Sequence, residues 1–83
     1  MKTSFGKRLR EARKKQGLTV ETFAQLCGTS RSYITLIETD RRLPGKKIIP
    51  KVALAIGVKT VTVLNWYLED IGQKMKKDFK ISD

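Results

Sequence analysis

The 83-residue chain contains no histidine and a single cysteine. The first absence removes His-based catalytic triads and the usual zinc constellations, and a lone cysteine makes no internal disulfide. With no nucleophile–base pair or metal-ligand cluster in view, no catalytic residue, metal or cofactor is expected, and the chain reads as a non-enzyme. No apolar run approaches the roughly 18 residues that suggest a membrane span. The opening residues, Met1-Lys2-Thr3-Ser4-Phe5, lead into no apolar stretch, so no signal peptide is expected. One thiol without a secretory segment fits a reducing cytoplasm. Acidic residues are also scarce: 8 Asp and Glu stand against 18 Lys and Arg, for a formal charge of +10. Such an excess points to a polyanionic partner.

What is present suffices for one small domain, and the length excludes a two-domain enzyme. A chain of this size buries about 60–65% of the surface it exposes when unfolded, and per-residue averages give a stability of about 4–12 kcal/mol. The apolar share of 40% suits a globular chain.

Short apolar-periodic segments punctuated by glycine predict five helices and an all-α fold. The first spans about Ser4 to Gln16, with Ser4 as N-cap, Gly17 as stop, and Phe5, Leu9 and Ala12 on one stripe. Lys14 and Lys15 complement its negative end. The second follows Leu18 with Thr19 as N-cap and Glu21 in its first turn; Phe23, Ala24 and Cys27 face inward and Gly28 ends it. The third covers about Ser30 to Thr39. Ile34 and Ile37 face inward, while Arg31, Ser32, Thr35, Leu36 and Thr39 form an outer, largely polar face. Asp40 to Lys47 is a basic loop. The fourth helix is roughly Ile48 to Ile56, with Pro50 in its first turn, Ile49, Val52, Ala53 and Ile56 as its stripe, and Gly57 as its stop. The fifth runs from Thr60 as cap to about Asp70, with Gly72 as its stop. Val58 to Val63 is β-branched enough for a strand, but a lone strand has nothing to pair with. Residues 1–72 are therefore read as the domain and 73–83, with Lys74, Lys76, Lys77 and Lys80, as a flexible basic tail.

Helices two and three, joined by Gly28 and Thr29, have the spacing of a helix-turn-helix. Gly28 supplies a residue free to adopt positive φ, and small Ala24 lets the two helices approach. Leu18-Thr19, Phe23-Ala24, Gly28-Thr29-Ser30-Arg31-Ser32, Ile34, Ile37-Glu38 and Pro44 together resemble the Cro/C1-type (XRE) helix-turn-helix family. Ile49-Pro50, Ala53, Ala55-Ile56-Gly57-Val58 and Trp66 continue the likeness, which is notably to small lambdoid phage repressor and Cro domains. The likeness spans about Phe5 to Leu68 and implies a five-helix, lambda-repressor-like fold that binds double-stranded operator DNA as a homodimer.

The resemblance places base-contacting side chains at Ser30, Arg31, Ser32, Thr35 and Leu36. Arg31 suits bidentate bonding to guanine O6 and N7, and Leu36 suits a thymine methyl. Phosphate contacts fall to Thr19, Tyr33, Arg41, Arg42, Lys46 and Lys47, aided by helix N-termini. A partly buried ion pair is implied between Arg13 and Glu38. Two positions depart from the family pattern: Val20 stands where many relatives have Gln, and Asp40 where Gly is usual, which raises the cost of a left-handed residue. Val63, Leu64, Trp66 and Tyr67 lie in a segment with more apolar surface than one face of a short helix buries, so they are read as a dimer interface.

The resulting expectation is a cytoplasmic, nucleoid-associated bacterial, phage or plasmid regulator. It acts as a repressor that blocks polymerase by occupying a pseudo-palindromic operator. Two rivals remain at this stage: an antitoxin or other protein-interaction module of the same fold, and adhesion to nucleic acid or anionic membrane by charge alone.

Overall fold

The computed structural model describes the backbone of residues 4–79 and the side chains of residues 4–72. Five helices follow in order: α1 (Phe5–Lys15), α2 (Val20–Leu26), α3 (Arg31–Glu38), α4 (Ile49–Ile56) and α5 (Thr60–Phe79). No strand occurs among the described residues, and the all-α expectation holds.

Local chemistry sets the first three starts. The hydroxyls of Ser4, Thr19 and Ser30 accept from the backbone N–H of Lys7 (3.2 Å), Thr22 (3.1 Å) and Tyr33 (3.1 Å). Each satisfies an amide that the helix itself leaves without a partner. The ends share one device. At the close of α2, Thr29 N–H donates to the Ala24 carbonyl and Gly28 N–H to that of Gln25, with Gly28 at φ +66°. This is the Schellman arrangement, and its left-handed residue turns the chain directly into α3. The same pair of bonds closes α3, from Arg41 N–H to Leu36 and from Asp40 N–H to Ile37, but here the left-handed residue is Asp40, at φ +61°.

Asp40 has a second task that a glycine would leave undone. Its carboxylate accepts from the Gly6 N–H at 3.0 Å, in the first turn of α1, where the helix dipole favours negative charge. The chains meet closely at this point. A Cβ on Gly6 would fall 2.7 Å from the Glu38 carbonyl oxygen and closer still to that of Ile37.

The core gathers the inward residues of all five helices: Phe5 and Leu9, Phe23 with Ala24 and Cys27, Ile34 and Ile37, Val52 with Ala53 and Ile56, and Val63. Phe5 also meets the Tyr67 ring edge-on, with centroids 5.9 Å apart. An Arg8–Glu69 ion pair at 3.0 Å adds a surface tie between α1 and α5.

The structure corrects two expectations for the fifth segment. Gly72 does not stop it: α5 runs on to Phe79. A Cβ on Gly72 would meet nothing within 4 Å and its φ is not positive, so the residue costs the helix only glycine's entropy, about 1 kcal/mol. The second correction is Val63, expected in an interface. It is fully buried, because α5 lies along α4 and its first turn points Val63 into the core. Helix α5 also includes Thr60, with Lys59 accepting the first helical bonds instead. Of the basic tail, the side chains of Lys74, Lys76 and Lys77 and all of Lys80 lie outside the described residues.

Candidate nucleic-acid interface

The outer face of α3 begins with Arg31 and Ser32, both exposed, and continues with exposed Thr35 and half-buried Leu36. Beneath it Ile34 and Ile37 are buried to within about 1% and hold the helix to the body. The first turn of α3 therefore projects, as a helix entering a groove requires. Ser30 stands at the edge of this face with one lone pair of its oxygen committed to the cap of α3, leaving its O–H and a second lone pair available.

Arg31 is not bare. Its Nη1 lies 2.8 Å from Glu21 Oε1, in a contact between the first turn of α2 and the first residue of α3. Glu21 was read from sequence only as a favourable first-turn acid. Its link to Arg31 spans the turn between two helices and leaves no periodic signal.

The residues expected at phosphates lie in two places. Thr19, at the start of α2, accepts from Thr22 N–H and donates its own O–H to Thr22 Oγ1 at 3.0 Å, so its hydroxyl is engaged in the cap. Tyr33, Arg41, Arg42, Lys46 and Lys47 belong to α3 and the loop after it. Tyr33 organises that loop: its hydroxyl accepts from Gly45 N–H at 3.0 Å, and the Arg42 guanidinium sits 5.1 Å from its ring centre. That stacking is a cation–π contact. Arg41, Lys46 and Lys47 are exposed.

Between the turn at Gly28, the Tyr33 ring and the loop lies an open cleft of about 270 Å³, which Lys47 lines from the loop and Lys51 from α4. Lys51 escaped the sequence reading because α4 reads as a core helix, with its lysine as a solvated charge. Cys27 also borders the cleft; burial pushes its thiol up to about 11 from an ordinary 9.0, against a weaker downward pull from Lys51. A thiol so disposed is a neutral core group.

Behind α3, Arg13 and Glu38 meet in a two-point contact. Arg13 Nε donates to Glu38 Oε2 at 2.7 Å and Nη2 to Oε1 at 3.2 Å, while Nη1 donates to the Leu18 carbonyl at 2.7 Å. The side chains are only 8% and 6% exposed. On α4 and α5, Leu54, Val61 and Leu68 stand 84%, 55% and 55% exposed, Leu64 is also exposed, and Trp66 and Tyr67 are half-buried. Among the described residues no helix is long and apolar enough to cross a membrane.

A projecting helix with a polar front, supported by aliphatic side chains and flanked by cations, defines a DNA-binding helix-turn-helix transcriptional regulator. The comparisons with known proteins are specific about which kind. The family model described as helix-turn-helix matches residues 9–63. The chain is similar to the restriction-modification controller protein C.AhdI from Aeromonas hydrophila, at 39% identity over 71% of this chain and 89% of that one, with a TM-score of 0.67. It is similar to SinR of Bacillus subtilis, a master regulator for biofilm formation solved in complex with DNA, at 28% identity over 72% and 97% of the two chains, with a TM-score of 0.66. Likeness to the clp gene regulator ClgR from Corynebacterium glutamicum is one of fold: 23% identity over 92% and 82%, with a TM-score of 0.69. No curated protein sequence matches the chain. The protein belongs to the helix-turn-helix family, of the Cro/C1 (XRE) type.

Proposed function

We propose that the protein represses transcription by binding a pseudo-palindromic operator as a homodimer, with α3 in the major groove of each half-site. The observation that carries this is the projecting first turn of α3, exposed in front and fixed from behind by Ile34 and Ile37. Arg31, Ser32, Thr35 and Leu36 read base edges, and the Ser30 hydroxyl contributes as a donor. Arg41, Lys46 and Lys47 hold phosphates, Lys51 joins them across the cleft, and Tyr33 and Arg42 shape the loop that presents them. Thr19 contributes the capped N-terminus of α2, where amides favour an anion. Regulation is steric: an occupied operator blocks polymerase.

Two-fold pairing through Leu54, Val61, Leu64, Leu68, Trp66 and Tyr67 gives these exposed apolar residues a partner, and reading two half-sites one turn of the duplex apart requires the two copies of α3 to lie about 34 Å from each other. A second reading is favoured by the same residues and by one relative, SinR, solved in complex with the SinI protein at 25% identity to this chain: the apolar residues then serve a different protein. Sedimentation separates these readings. A dimer that Leu64→Asp/Leu68→Asp dissolves supports the first; a monomer both free and on DNA removes it.

The deciding experiment is selection of bound sequences from a random DNA pool. A two-fold motif that loses one base preference, by about 1–3 kcal/mol, in Arg31→Ala supports groove reading by α3. Equal affinity for all duplexes, or a preference unchanged in Arg31→Ala, refutes it.

A further inference from the structure

We propose that Glu21 is a specificity-determining residue: its carboxylate fixes the Arg31 guanidinium in the orientation that reads guanine, and so sharpens the choice of base at one operator position. The inference rests on the reading that α3 enters the major groove.

Three observations lead to it. The 2.8 Å contact stands in solvent, with Arg31 69% and Glu21 55% exposed, on the face that approaches DNA rather than in the core. It joins two different helices whose relative position the Gly28 turn sets, so the carboxylate has a defined place relative to the first residue of α3. Finally, Glu21 is the only acid between Glu11 and Glu38, and the Glu38 side chain is buried against Arg13. Glu21 is thus the one exposed negative charge on α2 and α3. In a chain of formal charge +10, a carboxylate there opposes attraction to any duplex and adds nothing to general affinity.

Its chemistry toward Arg31 is more favourable. A guanidinium presents five N–H donors in a rigid planar fork on a long stem with many rotamers. Engaging Nη1 on Glu21 leaves the edge formed by Nε and Nη2 free, and two parallel donors on one edge match guanine O6 and N7. Holding the fork before DNA arrives reduces the ordering needed on binding. It also prevents the stem from swinging to a phosphate when the base is wrong. The carboxylate thereby lowers affinity for unmatched DNA while preserving it for the matched site.

The test uses the full chain and the duplex recovered from the random pool. Wild type, Glu21→Gln, Arg31→Ala and the double variant are titrated against that duplex, against its base-substituted versions and against a random duplex. In Glu21→Gln, discrimination at the position read by Arg31 should fall about 2–5-fold, the fold-equivalent of an exposed ion pair, with other positions unchanged. Affinity for the random duplex should rise. In the Arg31→Ala background the Glu21→Gln change should leave discrimination as it is. If Glu21→Gln shifts affinity for every duplex by one common factor, the carboxylate is a general repulsive charge and the proposal is wrong. If Arg31→Ala alters base preference and Glu21→Gln does not, the proposal fails while groove reading by α3 stands. If Arg31→Ala has no effect on base preference, groove reading itself fails.

Discussion

Arg13→Met removes one side of the contact behind α3, and its cost follows from the geometry. The Glu38 carboxylate, whose side chain is 6% exposed, loses both of its guanidinium bonds, and the Leu18 carbonyl loses its 2.7 Å donor. Breaking a buried ion pair from one side costs about 3–5 kcal/mol. Against a total stability of about 4–12 kcal/mol, that is a large fraction. At about 4–8 °C per kcal/mol, the melting temperature should fall by about 12–40 °C. Replacing both partners, as Arg13→Met/Glu38→Leu, leaves no uncompensated charge and should recover most of the loss, because an apolar pair of similar volume is often equivalent to a buried salt bridge. Urea and thermal melts followed by circular dichroism on the two single variants and the double give the coupling directly. A coupling of about 2 kcal/mol or more is expected. Losses that simply add would refute the view that these groups stabilise each other.

Other consequences are simpler to measure. Gly6→Ala pushes a methyl group against the Ile37 and Glu38 carbonyls and should cost about 1–3 kcal/mol, the range for overpacking, read from the urea midpoint; an unchanged midpoint would show that α1 and α3 separate freely there. The Cys27 thiol ionises near 11 when folded and near 9.0 when exposed, so its contribution to stability is complete below pH 9 and is lost as pH rises toward 11. The stability advantage of wild type over Cys27→Ala should therefore shrink between pH 8.5 and 10.5, by at most about 2–3 kcal/mol, and a constant gap would contradict the burial argument. Lys47→Ala and Lys51→Ala should each weaken binding to all duplexes alike and reduce the slope of log affinity against log salt by about 1; a slope unaltered by Lys51→Ala would remove that residue from the phosphate set.

The sequence was most legible where the physics is local. Caps at Ser4 and Thr19 and the turn at Gly28 depend on residues within five positions of one another, and the inward faces of α2 and α4 follow from helical spacing alone. The failures share a different cause. Val63 and Leu64 are adjacent and similarly apolar, and only the position of α4 decides that one is core and the other surface. The bond from Gly6 to Asp40 spans 34 positions, so the pattern showed a costly left-handed aspartate without showing what its carboxylate holds. Glu21 and Arg31 become neighbours only after the turn has formed, and Lys51 gains its place beside Lys47 only once the loop folds around Tyr33. Gly72 misled because glycine ends a helix only where the chain turns left-handed, and here it does not.

The two anchors between α1 and α3 brace one end of the helix that faces DNA. Glu38 and Asp40 both lie at the C-terminal end of α3, while their mates, Arg13 and Gly6, are seven residues apart on α1, about 10 Å along its axis. Two fixings so separated resist rotation of α3 about its own axis as well as sliding, while the opposite, N-terminal end is held against α2 by the Gly28 turn and buried Ile34. The azimuth at which Arg31 emerges is thus set by α1 together with α2, although α1 contributes none of the side chains proposed to reach the bases.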